Sequence, residues 1–246
     1  MTPSWIVPEW PAPSRVRGLS TLRSGGVSAA PYGSLNLGGH VGDAAGAVDE
    51  NRRRLAAAAG VPAEPAWLTQ VHGTHVADLD AGIPIDPADA CFSRTPGRVC
   101  AILTADCLPV LLAAESGDLV AAAHAGWRGL AGGVIEALVR ALPVPPAQLM
   151  AWLGPAIGPQ HFEVGAEVRA ALLERDRGAE GALTPNTRGR FLADLDELAR
   201  RRLAALGVER VYGGGRCTFT EENRFFSHRR DGATGRQATL IWISPG

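Results

Sequence analysis

Val99-Cys-Ala-Ile-Leu-Thr104, Pro109-Val-Leu-Leu-Ala-Ala114 and Leu119-Val-Ala-Ala-Ala-His124 succeed one another, separated only by Ala105-Asp-Cys-Leu108 and the turn Glu115-Ser-Gly-Asp118. Short apolar runs bounded by turn residues read as buried strands. Outward from this block, residues 16–23, 67–71, 74–79, 149–153, 208–212 and 238–243 carry the same signal, with 67–71 and 74–79 joined at His72-Gly73. Helical spacing covers 48–59, stopping at Gly60-Val-Pro62, and also 129–142, 167–175 and 194–206. The last of these opens on acidic residues and closes on Leu206-Gly207, as dipole and capping rules prefer. Strands cluster while helices fall between them irregularly. The expectation is an α/β (α+β) fold: one compact domain over residues 1–246, a mixed β-sheet flanked by helices.

Composition narrows the function classes. Among 246 residues, 24 basic and 25 acidic side chains leave a net charge of −1, where a nucleic-acid or membrane-surface protein would carry a basic excess. Every basic residue is arginine. A GC-rich coding bias accounts for that, but each guanidinium keeps the forked donors that suit phosphate or carboxylate. Cysteines 91, 100, 107 and 217 form no C-x-x-C pair, Met1-Thr-Pro-Ser-Trp5 lacks a signal-peptide pattern, and no apolar run reaches the ~20 residues of a membrane span. A cytoplasmic protein with no nucleic-acid or membrane partner is expected.

Three segments carry chemistry: Thr69-Gln-Val-His-Gly-Thr-His75, Ala105-Asp-Cys-Leu-Pro109 and His124-Ala-Gly-Trp-Arg-Gly129. Their donors His72, Cys107 and His124 make two imidazoles and one thiolate, a set that suits zinc with one position open. The same groups also fit a thiol nucleophile with imidazole bases. Taken singly, Cys107 reads equally as a small buried hydrophobe and His124 as a strand-to-helix cap. In a β-like segment His72 and His75 face opposite ways, and Gly73 favours His72 as the inward one. Asp106, beside the thiol, could orient a histidine as a supporting carboxylate.

Other polar residues extend the candidate site. Asn36, between Leu35 and Leu37, is either an inward polar group in need of a partner or an Asx turn. Gln70 points to the same face as His72. For an anion, the candidates are Arg23 in the Gly-rich stretch Thr21-Leu-Arg-Ser-Gly-Gly-Val27, Arg128 after His124, and Arg229 with Arg230 in Phe226-Ser-His-Arg-Arg-Asp-Gly232. A solvated surface turn is the other reading of that last stretch.

At these residues the chain resembles the YfiH-like, laccase-domain family of purine nucleoside phosphorylases, also called peptidoglycan editing factors. Matching segments include Ser34-Leu-Asn-Leu37, Gly42-Asp43, Asn51-Arg52, Gln70-Val-His-Gly73, Thr104-Ala-Asp-Cys107, His124-Ala-Gly-Trp-Arg-Gly129, Leu153-Gly-Pro-Ala-Ile-Gly158 and Phe226-Ser-His-Arg-Arg-Asp-Gly232. His228 departs from the aromatic residue, such as tyrosine, found in many relatives. The resemblance implies a fold like that of cysteine hydrolases and cytotoxic necrotizing factor, a monomer, and zinc held by His72, Cys107 and His124. It implies phosphorolysis of adenosine, inosine, guanosine or methylthioadenosine to the base and a ribose 1-phosphate, with purine nucleoside and phosphate as small-molecule partners, and adenosine deamination besides. Copper enters through the family's polyphenol-oxidase label, which a chain with six histidines and no His-x-His motif fits poorly. Two other classes stay open: a Cys107 hydrolase or deamidase without metal, and a zinc-bearing editing factor that binds or processes a cell-wall precursor.

Overall fold

The computed structural model describes residues 2–82, 84 and 86–245. Its strands are β1 (Trp5–Ile6), β2 (Val16–Thr21), β3 (Ala66–Trp67), β4 (Val76–Asp78), β5 (Ala90–Ser93), β6 (Val99–Thr104) and β7 (Leu108–Ala114). They continue as β8 (Val120–Ala125), β9 (Leu149–Leu153), β10 (Glu163–Val164), β11 (Leu183–Pro185), β12 (Phe191–Ala193), β13 (Arg210–Gly213) and β14 (Gln237–Ile243). The helices are α1 (Ala45–Ala59), α2 (Trp127–Gly132), α3 (Val134–Ala141), α4 (Ala166–Arg175), α5 (Leu195–Ala205) and α6 (His228–Asp231). No helix among the described residues is long and apolar enough to cross a membrane.

The mixed α/β fold is as expected, but the strands build three sheets where one was expected. Five strands run β1-β2-β14-β6-β3, six run β13-β9-β7-β8-β5-β4, and three short ones run β10-β12-β11. Both large sheets are mixed: β3 lies parallel to β6, β4 to β5 and β13 to β9, among antiparallel neighbours.

Alternation along β7 explains the unbroken apolar runs. Val110 and Leu112 pack toward helix residues Leu138, Leu198 and Leu203, while Leu111 and Ala113 pack toward Cys100, Ile102 and Ile241 of the five-stranded sheet. On that sheet's other side, Ala101, Leu103 and Leu240 meet Leu35 and Leu37 of the preceding loop and Leu55 of α1. Four layers result, with α1 outside one sheet and α3 to α5 outside the other. Strands buried on both faces need apolar side chains at every position, which removes the alternation a half-exposed strand would show.

Two local expectations are corrected. The segments 67–71 and 74–79, expected as two strands joined at His72-Gly73, are not neighbours in one sheet, because β3 belongs to one large sheet and β4 to the other. The chain between them crosses from sheet to sheet. Residues 105–107 make a second crossing, from β6 to β7. The helix expected over 129–142 starts at Trp127 and breaks at Gly133, whose φ of 95° separates α2 from α3.

Candidate metal and active site

His72 and Cys107 sit on these two crossings, and His124 sits near the end of β8, paired with Pro109 of β7. The His72 ring meets that of His124 edge-on, with centroids 4.7 Å apart. Cys107 Sγ lies 3.9 Å from His72 Nε2, and one ligand atom from each of the three residues falls within 4.8 Å of the others. Zinc bonds of about 2.0–2.3 Å place tetrahedral ligand atoms roughly 3.3–3.8 Å apart, so the set fits one ion after small adjustments. Among the described residues this is the single grouping of three or more His, Cys, Asp or Glu side chains able to hold a metal. One three-donor site does not suit a multinuclear copper centre, which needs many more imidazoles.

Asp89, directly before β5, sets both histidines. Its carboxylate accepts the backbone N–H groups of Val71 (3.1 Å), His72 (2.9 Å) and Gly73 (2.7 Å). Three successive amides aimed at one anion form a nest, and His72 takes the left-handed conformation (φ 61°) that such a nest requires. The same carboxylate pairs with His124 Nδ1 at 2.8 Å. A carboxylate only accepts, so Nδ1 carries a proton and Nε2 is left for the cluster. Burial opposes the charge on Asp89, but the bonds from His124, Gly73 and Val71 hold its pKa below the ordinary value.

Electrostatics within the cluster favour separated charge. Burial alone would raise the Cys107 pKa, yet the adjacent His124 and His72 imidazoles lower it. Burial would likewise depress His124, and the charges of Cys107 and Asp89 raise it instead. A thiol poised to lose its proton is what metal capture or nucleophilic attack demands. Gly126 leaves room for that sulfur: a Cβ there would stand 2.7 Å from Cys107 Sγ.

The cluster opens on a cavity of about 190 Å³ lined by His72, Asp106, Cys107, Trp127, Arg128, Ile157, Phe162, Leu195, His228 and Arg229, among others. Aromatic and aliphatic walls with two cations suit a flat, polar-edged ligand carrying negative charge. Arg229 lies 5.4 Å over the Phe162 ring and Arg128 4.3 Å over Trp127. His228 Nδ1 faces the Gly232 carbonyl at 2.7 Å, leaving Nε2 as its free nitrogen.

Of the residues singled out from sequence, the structure brings His72, Cys107, His124, Asp106, Arg128 and Arg229 together. Asp106 makes no hydrogen bond to a histidine among the described residues, however. Its oxygens accept Thr218 Oγ1 (2.6 Å) and the Arg229 amide (2.7 Å), so the histidine-orienting carboxylate is Asp89. Arg23 does not line the cavity: it donates to the Gly33 and Glu222 carbonyls and lies 4.8 Å over Phe226. The neighbouring Gly25 and Gly26 pack against the backbone of Pro3 and Ser34, which replaces the expected anion loop with tight chain packing. Arg230 is turned toward the carbonyls of Thr218, Phe219 and Phe225. Gln70 extends the β6 ladder by bonding both backbone groups of Leu103, and Asn36 is fully buried in a hydrogen-bonded loop. His75 is exposed and faces the Pro87 carbonyl. Sequence reasoning missed Asp89 and Phe162; an acid just before the Ala-Cys-Phe run of β5 was the available signal for the first.

Residues 17–244 match the family described as multi-copper polyphenol oxidoreductase laccase. A Pseudomonas aeruginosa protein named purine nucleoside phosphorylase is 54% identical over 241 residues, spanning 98% of each chain. Purine nucleoside phosphorylase YfiH of Escherichia coli (strain K12) is 54% identical over 240 residues, spanning 97% of this chain and 98% of its own. The crystal structure of Neisseria meningitidis protein NMB0706 superposes with a TM-score of 0.94 at 49% identity, covering 98% of this chain and 99% of that one. For YlmD from Geobacillus stearothermophilus the TM-score is 0.87 at 34% identity, covering 94% and 93%. On these grounds the chain belongs to the multi-copper polyphenol oxidoreductase laccase family of YfiH-type proteins.

Proposed function

We propose that the protein is a zinc-dependent purine nucleoside phosphorylase working in the cavity beside His72, Cys107 and His124. The observation that carries this reading is the convergence of a soft three-donor set with aromatic walls and two guanidiniums, in a chain whose close relatives bear that enzyme name. His72, Cys107 and His124 hold the ion. Zinc held there would supply Lewis acidity and would lower the pKa of a bound water toward neutral.

The chain's own groups divide the remaining work. Trp127 and Phe162 offer ring faces to the purine, and Arg128 and Arg229 offer forked donors to phosphate oxygens. An oxygen of phosphate bonds to ribose C1′ as the C1′–N9 bond breaks, and that electron pair leaves with the purine, which takes up a proton. Asp106 accepts from the Thr218 hydroxyl and the Arg229 amide, and so fixes the Arg229 backbone. His228, outside the ligand set, is the proton donor as the imidazolium, with Nδ1–H staying on the Gly232 carbonyl and the Nε2 proton passing to the purine. Adenosine, inosine, guanosine and methylthioadenosine share the geometry this requires. Hydrolytic deamination of adenosine, with water attacking C6 and ammonia leaving, is a second activity of the same centre.

The test is metal analysis of the purified protein, followed by incubation with inosine or adenosine with and without phosphate. Phosphate-dependent hypoxanthine or adenine together with ribose 1-phosphate is expected. Zinc-loaded protein that yields neither base overturns the reading.

One observation favours a second reading. Cys107, His124 and Asp89 line up as thiol, imidazole and carboxylate, the order of a cysteine hydrolase or deamidase, for which a cell-wall precursor is the substrate class implied. Iodoacetamide separates the two. If zinc is resident, Cys107 is alkylated slowly until a chelator is added, whereas a metal-free hydrolase reacts rapidly from the start and loses activity with modification.

A further inference from the structure

Arg236 and His40, whose imidazole is kept neutral by partial burial and by the charge of Arg236, stand near the ligand cluster without lining the cavity. Gln237, the first residue of β14, pairs with Thr104, the last of β6, so the register puts Arg236 opposite Ala105 at the head of the turn bearing Cys107. Its half-buried guanidinium lies close enough to Cys107 and Asp106 for their charges to act on it. Nη1 donates to the carbonyls of Thr234 (2.9 Å) and Gly235 (3.0 Å), while Nε and Nη2 meet no acceptor among the described residues. Exposed His40 makes no hydrogen bond among those residues either, and it feels the charges of Arg236, Arg52 and His124.

One carboxamide fixes the backbone of Arg236 and the loop that leads to His40. Asn36 Oδ1 accepts the amides of Gly38 (3.0 Å) and Arg236 (2.8 Å), and Nδ2 donates to the Gly38 carbonyl (3.2 Å) and to Asp43 (2.9 Å). The Tyr32 hydroxyl holds the far side of the loop through the Val41 carbonyl at 2.9 Å. Gly38 makes space for the arginine stem, since a Cβ there would lie 2.8 Å from Arg236 Cγ. The Nε and Nη2 donors of this half-buried guanidinium reach solvent and are available to an anion. Among the described residues no carboxylate forms an ion pair with it, and Asp106, bonded to Thr218 and the Arg229 amide, acts on it through its charge alone.

We propose that Arg236 and His40 complete the phosphate site beside the Cys107 turn, with Asn36 as the residue that positions them. The inference rests on the phosphorolysis proposed above and names where the attacking anion is held. It gives the buried Asn36 loop a purpose at the site that its distance from the cavity hides.

The experiment uses zinc-loaded full-length protein and the variants R236Q, R236K and H40Q. KM for phosphate and KM for inosine are measured separately, inorganic phosphate binding is titrated by calorimetry, and zinc content and melting temperature are recorded alongside. R236Q is expected to weaken phosphate binding and raise its KM by roughly tenfold or more, with inosine KM within about twofold and zinc retained. R236K recovers part of the loss, and H40Q gives a smaller rise of the same kind. Unchanged phosphate affinity in folded, zinc-replete R236Q overturns the proposal. If R236Q does not fold, unchanged affinity in H40Q, altered only at an exposed loop, overturns it as well. Should the wild type bind phosphate through Arg236 yet cleave no nucleoside, the phosphorylase reading fails and this site stands. A wild type that binds no phosphate sinks both.

Discussion

Asp89 accepts four hydrogen bonds on one buried carboxylate, three from the chain that carries His72 and one from His124. Supporting carboxylates of this kind raise ligand basicity and fix the tautomer. Replacing Asp89 with Asn is therefore expected to lower zinc affinity by roughly 10–100-fold, read by competition with a chromophoric chelator. Equal affinity in variant and wild type would show that the imidazoles orient themselves. Gly126→Ala acts on the third donor instead. The added methyl must displace the Cys107 sulfur, so metal affinity falls while the melting temperature, set by the distant core, changes little. The donors were legible in sequence because glycine or turn-forming neighbours flank each of them. Asp89 was not, because its role depends on β5 pairing with β8, which brings together residues 35 positions apart.

At the level of elements, the short turn after β4 shows how acid reaches the fold. Asp80 accepts the Ser93 hydroxyl at 2.6 Å and, from Arg94, both the amide and Nε at 2.9 Å. Burial opposes its charge, but the Ser93 and Arg94 hydrogen bonds hold the carboxyl well below the usual carboxylate range. Its folded pKa thus lies under the unfolded value of about 4, so its stabilisation is complete above that value and is lost as pH falls through the folded one. Asp80→Asn should lower the melting temperature at pH 7, and the gap from wild type should narrow as the pH drops below 4. A constant gap across that range would rule the carboxylate out. Strands such as β7, β9 and β14 were legible because each is a compact apolar run. The crossing at residues 68–75 was not legible as a change of sheet, because Gln70 imitates a ladder partner of β6 with its side chain and the change leaves no local trace.

Across the molecule, stability centres on the layer between the two large sheets, where Leu111 and Ala113 meet Cys100, Ile102 and Ile241. Leu111 is fully buried there. Truncation to alanine is expected to cost about 2–5 kcal/mol. Because both sheets share that layer, far-UV circular dichroism and tryptophan fluorescence should report one common midpoint in denaturant. Separate midpoints would mean that the sheets unfold independently. Composition and run length foretold the α/β mixture, yet the division into stacked sheets was beyond them, since a strand covered on both faces looks alike in one sheet or two.

The Asp106 carboxylate bridges the turn bearing Cys107 to Thr218 and to Arg229, residues more than a hundred positions further along. That clip makes the thiol's seat and the Arg229 wall one mechanical unit. Under the function proposed here, cutting the clip with Asp106→Ala should therefore loosen the ion's seat and the nucleoside's wall together.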